Sequence, residues 1–194
     1  MKTVKLTLSA LAVILASSSL YAFEPYVSGS GGVSTLSGRE SGSVAEVRGG
    51  AKNHHWDFSY GYLRNETDSL VLNTLNLEAY SVIPIVSGLH AKLGLGGGFT
   101  VPNQDGPKRF DNGLSGVFGG GFGYSIARNL SLGLNAKYFV FKTDSQTTSK
   151  ITETEAVFQN GVQIGTVETE TPMTTDSSEN LNSLNLTLAL TYWF

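Results

Sequence analysis

The last eleven residues of the chain, 184–194, read Leu-Asn-Leu-Thr-Leu-Ala-Leu-Thr-Tyr-Trp-Phe. Successive side chains of a β-strand point to opposite faces. One face of this segment is therefore wholly apolar, and the other is mostly polar or small. A tilted strand needs about 9–11 residues to cross a bilayer, so the pattern predicts a membrane-crossing barrel strand. The last strand of a soluble sandwich is the alternative.

The first 22 residues are predicted to be a secretory signal peptide. Lys2 and Lys5 precede a short apolar run at 6–16, and a small-residue cleavage site follows at Ala22. The apolar run is shorter than the roughly 20 residues of a spanning helix. We expect an exported mature chain of one domain, residues 23–194.

Composition limits the possible functions. Without Lys2 and Lys5 the predicted mature chain has 11 basic against 16 acidic residues, a net charge of −5. This balance does not suit a nucleic-acid-binding protein, which concentrates Lys and Arg on one face. The chain contains no cysteine, so it has neither a disulfide nor a lipid-modified cysteine.

Alternating segments recur along the whole predicted mature chain. We count eight, at residues 26–33, 44–52, 55–64, 72–83, 89–100, 114–125, 130–141 and 184–194. Tight turns at 52–54, 84–88 and 127–129 join every second pair, and longer connections at 34–43, 65–71, 101–113 and 142–180 join the others. Short turns on one side and long loops on the other are typical of outer-membrane barrels.

The signal, the eight segments, the turn asymmetry and the final Phe194 together resemble the OmpA-type transmembrane domain and its small relatives, the OmpX/Ail and opacity proteins. The resemblance implies an all-β, eight-stranded antiparallel up-and-down barrel in the cell outer membrane. It also implies contact with outer-membrane lipid, and recognition of Tyr192 and Phe194 by the barrel-assembly machinery. We expect a monomer without cofactor.

Charged residues in the inward phase of the strands are the first candidate site: Glu46, Arg48, Asp57, Glu78, Lys92 and Lys137. Charges at membrane depth must face a wet or self-compensating interior. Pairing the strands about the 84–88 turn predicts that Glu78 lies beside Lys92. A salt-bridged plug is the favoured interpretation, because an eight-stranded interior is narrow, and a small ion channel is the alternative.

Catalysis and metal binding receive little support from the sequence. His54 and His55 lie in a predicted turn, and His90 starts a strand at the same end, so no histidine reaches the outer rim where a lipid-modifying enzyme would need a base. The adjacent His54 and His55 have no third metal ligand. The glycine clusters at 94–98 and 116–121 continue a strand pattern and do not open a helix, so they are not phosphate loops.

The longest connection, 142–180, contains its own hairpin signal at Asn160-Gly161. We expect a protruding ribbon whose exposed apolar residues form a contact surface: Val157, Phe158, Val162, Ile164 and Val167. Pairing about the turn predicts that Glu153 lies near Glu168, where the stems splay apart or a divalent cation bridges them.

These observations favour a non-enzymatic barrel with a structural and adhesin-like role, in which the outer loops contact a host or matrix surface or another envelope component. The small ion channel and the lipid-modifying enzyme are the alternatives.

Overall fold

The computed structural model describes residues 23–38, 41–68, 70–104, 108–159 and 162–194, so the predicted signal peptide lies outside the described residues. Ten strands occupy these ranges: β1 Glu24–Leu36, β2 Ser41–Lys52, β3 Trp56–Glu66, β4 Leu70–Val86, β5 Leu89–Gln104, β6 Lys108–Phe110, β7 Gly113–Ala127, β8 Leu130–Gln159, β9 Val162–Asn180 and β10 Ser183–Trp193.

Eight of the strands close into a barrel. Strands β1 to β5 pair in sequence order, β5 continues to β7 and β7 to the first part of β8. Strand β10 pairs antiparallel with β8 on one side and β1 on the other, through Tyr192↔Leu130 and Tyr26↔Trp193. The predicted eight-stranded antiparallel barrel is therefore confirmed.

The tight turns lie at one end of the barrel, which we call the turn end. Asn53 accepts hydrogen bonds from the N–H groups of His55 and Trp56, at 2.8 and 2.7 Å, and so holds the β2–β3 turn. Strand β4 continues through Pro84 to Val86 with a bulge, so the next turn is Ser87-Gly88. Gly88 has φ 79°, a conformation that glycine adopts without strain.

At the opposite end, which we call the loop end, β8 and β9 leave the barrel as a two-stranded ribbon, residues 142–180. They pair from Lys142↔Asn180 to Gln159↔Val162. This pairing agrees with a hairpin about residues 160–161, although the turn itself lies outside the described residues. Strand β6 pairs with the base of the ribbon through Phe110↔Ser145.

Outward side chains of the barrel strands form an exposed apolar belt, whereas most inward ones are polar and buried. The belt includes Val27, Val47, Phe58, Tyr60, Leu77, Leu95, Phe118, Phe122, Leu134 and Leu188. A belt of this kind suits lipid contact. Among the described residues there is no helix of the length and hydropathy that crossing a membrane requires.

Candidate functional site

The middle of the barrel interior is organised by Lys137 on β8. Its Nζ lies 2.6 Å from Glu46 Oε1 on β2 and 2.8 Å from both carboxylate oxygens of Glu78 on β4. All three residues are at least 95% buried. One lysine therefore joins strands from opposite walls of the barrel.

Arg48 completes this group, which we call the central cluster: Glu46, Arg48, Glu78 and Lys137. The guanidinium nitrogens of Arg48 lie 3.5 Å from Glu46 Oε2 and from Glu78 Oε2. Asn76 Nδ2 and Tyr80 Oη donate to Glu78 at 2.7 and 3.0 Å. Two positive and two negative charges balance, and the hydrogen bonds compensate the cost of burying the carboxylates.

A second polar group lies nearer the turn end. Tyr26 Oη donates to Asp57 Oδ1 at 2.6 Å. Lys92 Nζ lies 3.8 Å from Asp57 Oδ2, a long ion pair. Lys52 Nζ lies 3.1 Å from His90 Nε2, and because the ammonium can only donate, His90 accepts through that nitrogen.

The predicted pairing of Glu78 with Lys92 is wrong. Strand β4 runs past Pro84 to a turn at 87–88, which places Lys92 opposite Val82 and Glu78 opposite Gly96. Lys92 consequently lies in the layer of Asp57, closer to the turn end. Glu78 is bound instead by Lys137, which is 59 residues distant in sequence.

The six charged residues predicted for the interior all line it, in these two groups. Several of their partners escaped the sequence prediction. Asn76 and Tyr80 each lie two residues from Glu78, so alternation predicts that they point into the barrel. It does not predict the hydrogen bonds that they make. Gly61 lies opposite Arg48, and a Cβ there would lie 2.7 Å from Arg48 Cγ. Only the closed register identifies Gly61 as the position that makes room for the guanidinium side chain.

Two apolar layers fill the interior between the central cluster and the loop end. The first consists of Val44, Leu63, Val117 and Phe139. The second, at the mouth, consists of Leu36, Leu70, Leu72, Phe110, Phe141 and Leu181. The described interior is thus charged toward the turn end, whereas toward the loop end the two apolar layers lie among buried uncharged polar side chains such as Asn65, Thr100 and Ser183.

The ribbon has two chemically different faces. One, the inner face, continues the interior side of β8, where Thr143 and Ser145 are buried. Farther out, this face exposes Ile151 and Met173 among threonines, with Glu153 beyond them. The other, the outer face, carries acidic and basic side chains: Lys142, Asp144, Lys150, Glu168, Glu170 and Asp176.

The predicted clash of Glu153 with Glu168 is wrong, because a register shift between Val157 and Phe158 changes the pairing by one residue. Glu153 lies opposite Thr169, and Glu168 lies opposite Thr154, on the other face. Glu170 accepts a hydrogen bond from Lys150 at 2.6 Å. Neither splaying nor a bridging cation is needed to relieve repulsion at this position.

The backbone of residues 155–159 and 162–167 belongs to β8 and β9. The side chains of the predicted contact residues, Val157, Phe158, Val162, Ile164 and Val167, lie outside the described part of the chain.

Comparison with known proteins gives structural relatives only. No family model matches the chain, and no curated protein matches its sequence. Neisserial surface protein A superimposes with a TM-score of 0.63 at 14% identity, over 88% of this chain and 97% of that one. The outer membrane protein AlkL gives 0.52 at 12%, over 88% and 90%. OprG of Pseudomonas aeruginosa gives 0.51 at 8%, over 88% and 96%.

The chain folds as a small outer-membrane β-barrel. The resemblance drawn from the sequence is confirmed at the level of the fold. The fold and the apolar belt together assign the barrel to the cell outer membrane. From the usual orientation of such barrels we expect the tight turns on the periplasmic side and the ribbon outside the cell.

The last residues of this outer-membrane barrel, 192–194, lie at the turn end. Tyr192 and Phe194 point outward, with their rings 5.5 Å apart in an edge arrangement. The N–H of Phe194 donates to Pro25 O at 3.1 Å, and that of Trp193 donates to Asn129 O at 2.9 Å. The terminal residues thus fasten the end of β10 to β1 and to the turn before β8, and they leave the rings of Tyr192 and Phe194 exposed.

Proposed function

We propose that this barrel is a non-enzymatic outer-membrane protein that contacts a basic surface outside the cell through its ribbon. The surface belongs to a host, to extracellular matrix or to another envelope component. The observation that carries the proposal is the length of the ribbon, in which β8 and β9 stay paired from residue 142 to residue 180. At 3.3–3.4 Å per residue this gives a reach of roughly 60 Å.

Charge favours a basic partner. The described ribbon residues, 142–154 and 168–180, include six acidic and two basic side chains. One of the acids, Glu170, is neutralised by Lys150, and another, Glu179, by Lys108. Glu168 and Asp176 on the outer face have no ion-pair partner among the described residues. Complementary charge guides association and partner choice more than it raises affinity.

The inner face supplies the apolar part of the contact. Ile151 and Met173 are 45% and 51% exposed and lie diagonally across the two strands. Diagonal neighbours of this kind are within reach of each other. Glu153 lies on this same face, two residues beyond Ile151. The apolar spot therefore has an acidic neighbour and suits a partner that presents both apolar and basic side chains.

The alternatives receive less support. His90, the histidine that lines the interior, faces Lys52 rather than a carboxylate, unlike the base of a nucleophilic triad. The paired central cluster and the two apolar layers favour a filled interior over an ion channel. Recognition of Tyr192 and Phe194 by the assembly machinery, contact with outer-membrane lipid and a monomeric state belong to the same proposal.

A shortened ribbon tests the function. Replacing residues 150–172 with Asn-Gly keeps Ser149 opposite Met173 and so preserves the register. We expect the variant to assemble, with heat-sensitive migration on gels, because extramembrane loops tolerate length changes at little cost. Binding to cells or matrix should be lost.

A matched variant keeps the ribbon length and removes charge, through Glu168→Gln, Glu170→Gln and Asp176→Asn. Its binding should weaken and should depend less on salt. If the shortened barrel assembles and binds as well as the full-length barrel, the ribbon is not the binding element.

A further inference from the structure

A groove lies on the lipid-facing side of the barrel, near the turn end. Three consecutive residues from each of β1 to β5 line it, together with the last residue of the chain: 25–27, 49–51, 58–60, 77–79, 95–97 and Phe194. Its volume is about 750 Å³, and pockets that hold small molecules have roughly 300–1,000 Å³. The groove belongs to the apolar belt, because Phe58, Tyr60, Leu77 and Leu95 are residues of both.

Small outward residues form the floor of the groove. Ala79 on β4 lies opposite Phe58 on β3 and Leu95 on β5. Gly97, the next outward residue of β5, has open space above it, since a Cβ there would meet only Ser115 O within 4 Å, at 3.5 Å. The bulky side chains of the belt thus stand around a low area at Ala79 and Gly97.

The ring of Tyr60 forms one wall of the groove. Gly49 lies opposite Tyr60 on β2, and a Cβ there would lie 2.7 Å from Tyr60 Oη. The missing side chain at Gly49 therefore lets the ring lie over β2, away from β4 and from Ala79. One glycine thus sets the position of the wall, and the groove continues past it toward β5.

The occupant has to be apolar and has to come from the membrane. A groove lined by apolar side chains stays dry, and if it is left empty its lining atoms lose dispersion contacts. Acyl chains are the apolar groups that the bilayer presents to the belt. The groove lies close to the turn end, because β2 ends at Lys52 and β3 begins at Trp56. In the expected orientation this depth is the periplasmic leaflet, whose lipids are phospholipids.

We propose that the groove binds one acyl chain of a phospholipid from the periplasmic leaflet. The chain packs over Ala79 and Gly97, beside the rings of Phe58 and Tyr60, and so stays with the barrel longer than the lipids around the rest of the belt. The site rests on the proposed contact with outer-membrane lipid and is independent of the ribbon.

Tryptophan fluorescence measures the occupancy of the groove. Trp56→Phe and Trp193→Phe first remove the two tryptophans of the chain, and Phe58→Trp then places a reporter in the groove. Leu132→Trp is the matched reporter on β8, at the opposite wall. Phe58 and Leu132 are 44% and 46% exposed, and each lies two residues from the turn end of its strand. The probe is phosphatidylcholine with brominated acyl chains, because bromine quenches tryptophan on contact.

The two reporters should respond differently in detergent micelles. Quenching of Phe58→Trp should saturate at one lipid per barrel, whereas quenching of Leu132→Trp should rise in proportion to the lipid content of the micelle. Adding Ala79→Leu to the groove reporter, which fills the floor, should remove the saturable quenching. Adding Ala136→Leu, the same change on an exposed alanine of β8, should retain it. Heat-sensitive migration on gels shows that each variant is folded.

Proportional quenching at both reporters overturns the groove as a site and leaves the general lipid contact intact. Quenching at neither reporter contradicts the proposed lipid contact itself. Saturable quenching that is unchanged by Ala79→Leu also overturns the proposal. If a second copy of the barrel covers the groove, saturable quenching is absent and the barrel sediments as a dimer, which overturns it as well.

Discussion

Lys137 and Lys150 lie on the same strand, β8, and each has a glutamate oxygen at 2.6 Å. The side chain of Lys137 is 2% exposed inside the barrel, whereas that of Lys150 is 70% exposed on the ribbon. Water screens the second pair and competes for its hydrogen bonds, but it does not reach the first. Equal distances therefore correspond to unequal energies, and burial decides which ion pair the fold depends on.

The largest expected effect is that of Lys137→Met. The change leaves the two carboxylates of Glu46 and Glu78 buried with Arg48, at 3.5 Å, as the cation that remains in the central cluster. Breaking a buried pair in this way costs about 3–5 kcal/mol. Urea unfolding of the refolded barrel in detergent micelles measures the loss. Adding Glu78→Gln to Lys137→Met should cost less than the sum of the two single changes. Additive losses mean that the two side chains are not coupled.

An intermediate effect is expected from Gly61→Ala, which tests how closely the interior is packed. A Cβ at this position lies 2.7 Å from Arg48 Cγ and 2.9 Å from Asn76 Oδ1. Both side chains must shift, and overpacking of this kind costs about 1–3 kcal/mol.

Gly29→Ala is the matched control, because nothing lies within 4 Å of a Cβ on this outward glycine. The same unfolding assay should give a much smaller change for Gly29→Ala. Equal losses in the two variants attribute the effect to strand conformation rather than to crowding of Arg48.

The smallest change in stability is expected at the exposed ion pair of Lys150 and Glu170 on the ribbon. Lys150→Gln and Glu170→Gln should each change stability by less than about 1 kcal/mol, with a coupling of about 0.5 kcal/mol or less that disappears in high salt. A double-mutant cycle measures this coupling. If it matches the coupling of Lys137 with Glu78, burial does not distinguish the two regions.

The sequence predicts the barrel because the direction in which a strand side chain points, into the barrel or toward the lipid, depends only on alternation within that strand. Alternation alone therefore identifies the charged residues that point into the barrel: Glu46, Arg48, Asp57, Glu78, Lys92 and Lys137. Their pairing depends on register and on which strands face each other across the closed barrel, and neither is a local property. Lys137 and Glu46 are 91 residues apart in sequence, so no turn between adjacent strands could have linked them.

Two errors of register show where local rules fail. The alternation predicts a fourth strand that ends at Ile83, before a turn at 84–88, but β4 continues through Pro84, and this moves Lys92 away from Glu78. The Asn160-Gly161 turn was expected to set a symmetric pairing, but a shift at Val157 and Phe158 moves Glu153 off Glu168. Irregular positions of this kind depend on strand twist and packing, which the alternation of residues does not encode.

Strand β8 runs without interruption from Leu130 at the turn end to Gln159 far outside the barrel. Its partner in the ribbon, β9, is separated from β10 by Leu181 and Asn182. A pulling force on the ribbon is therefore transmitted to the barrel wall along β8. The backbone hydrogen bonds between antiparallel strands are perpendicular to the strands. A force along β8 therefore shears its hydrogen bonds to β7 and β10 together and does not open them one at a time. The paired barrel strands therefore resist a force on the ribbon collectively.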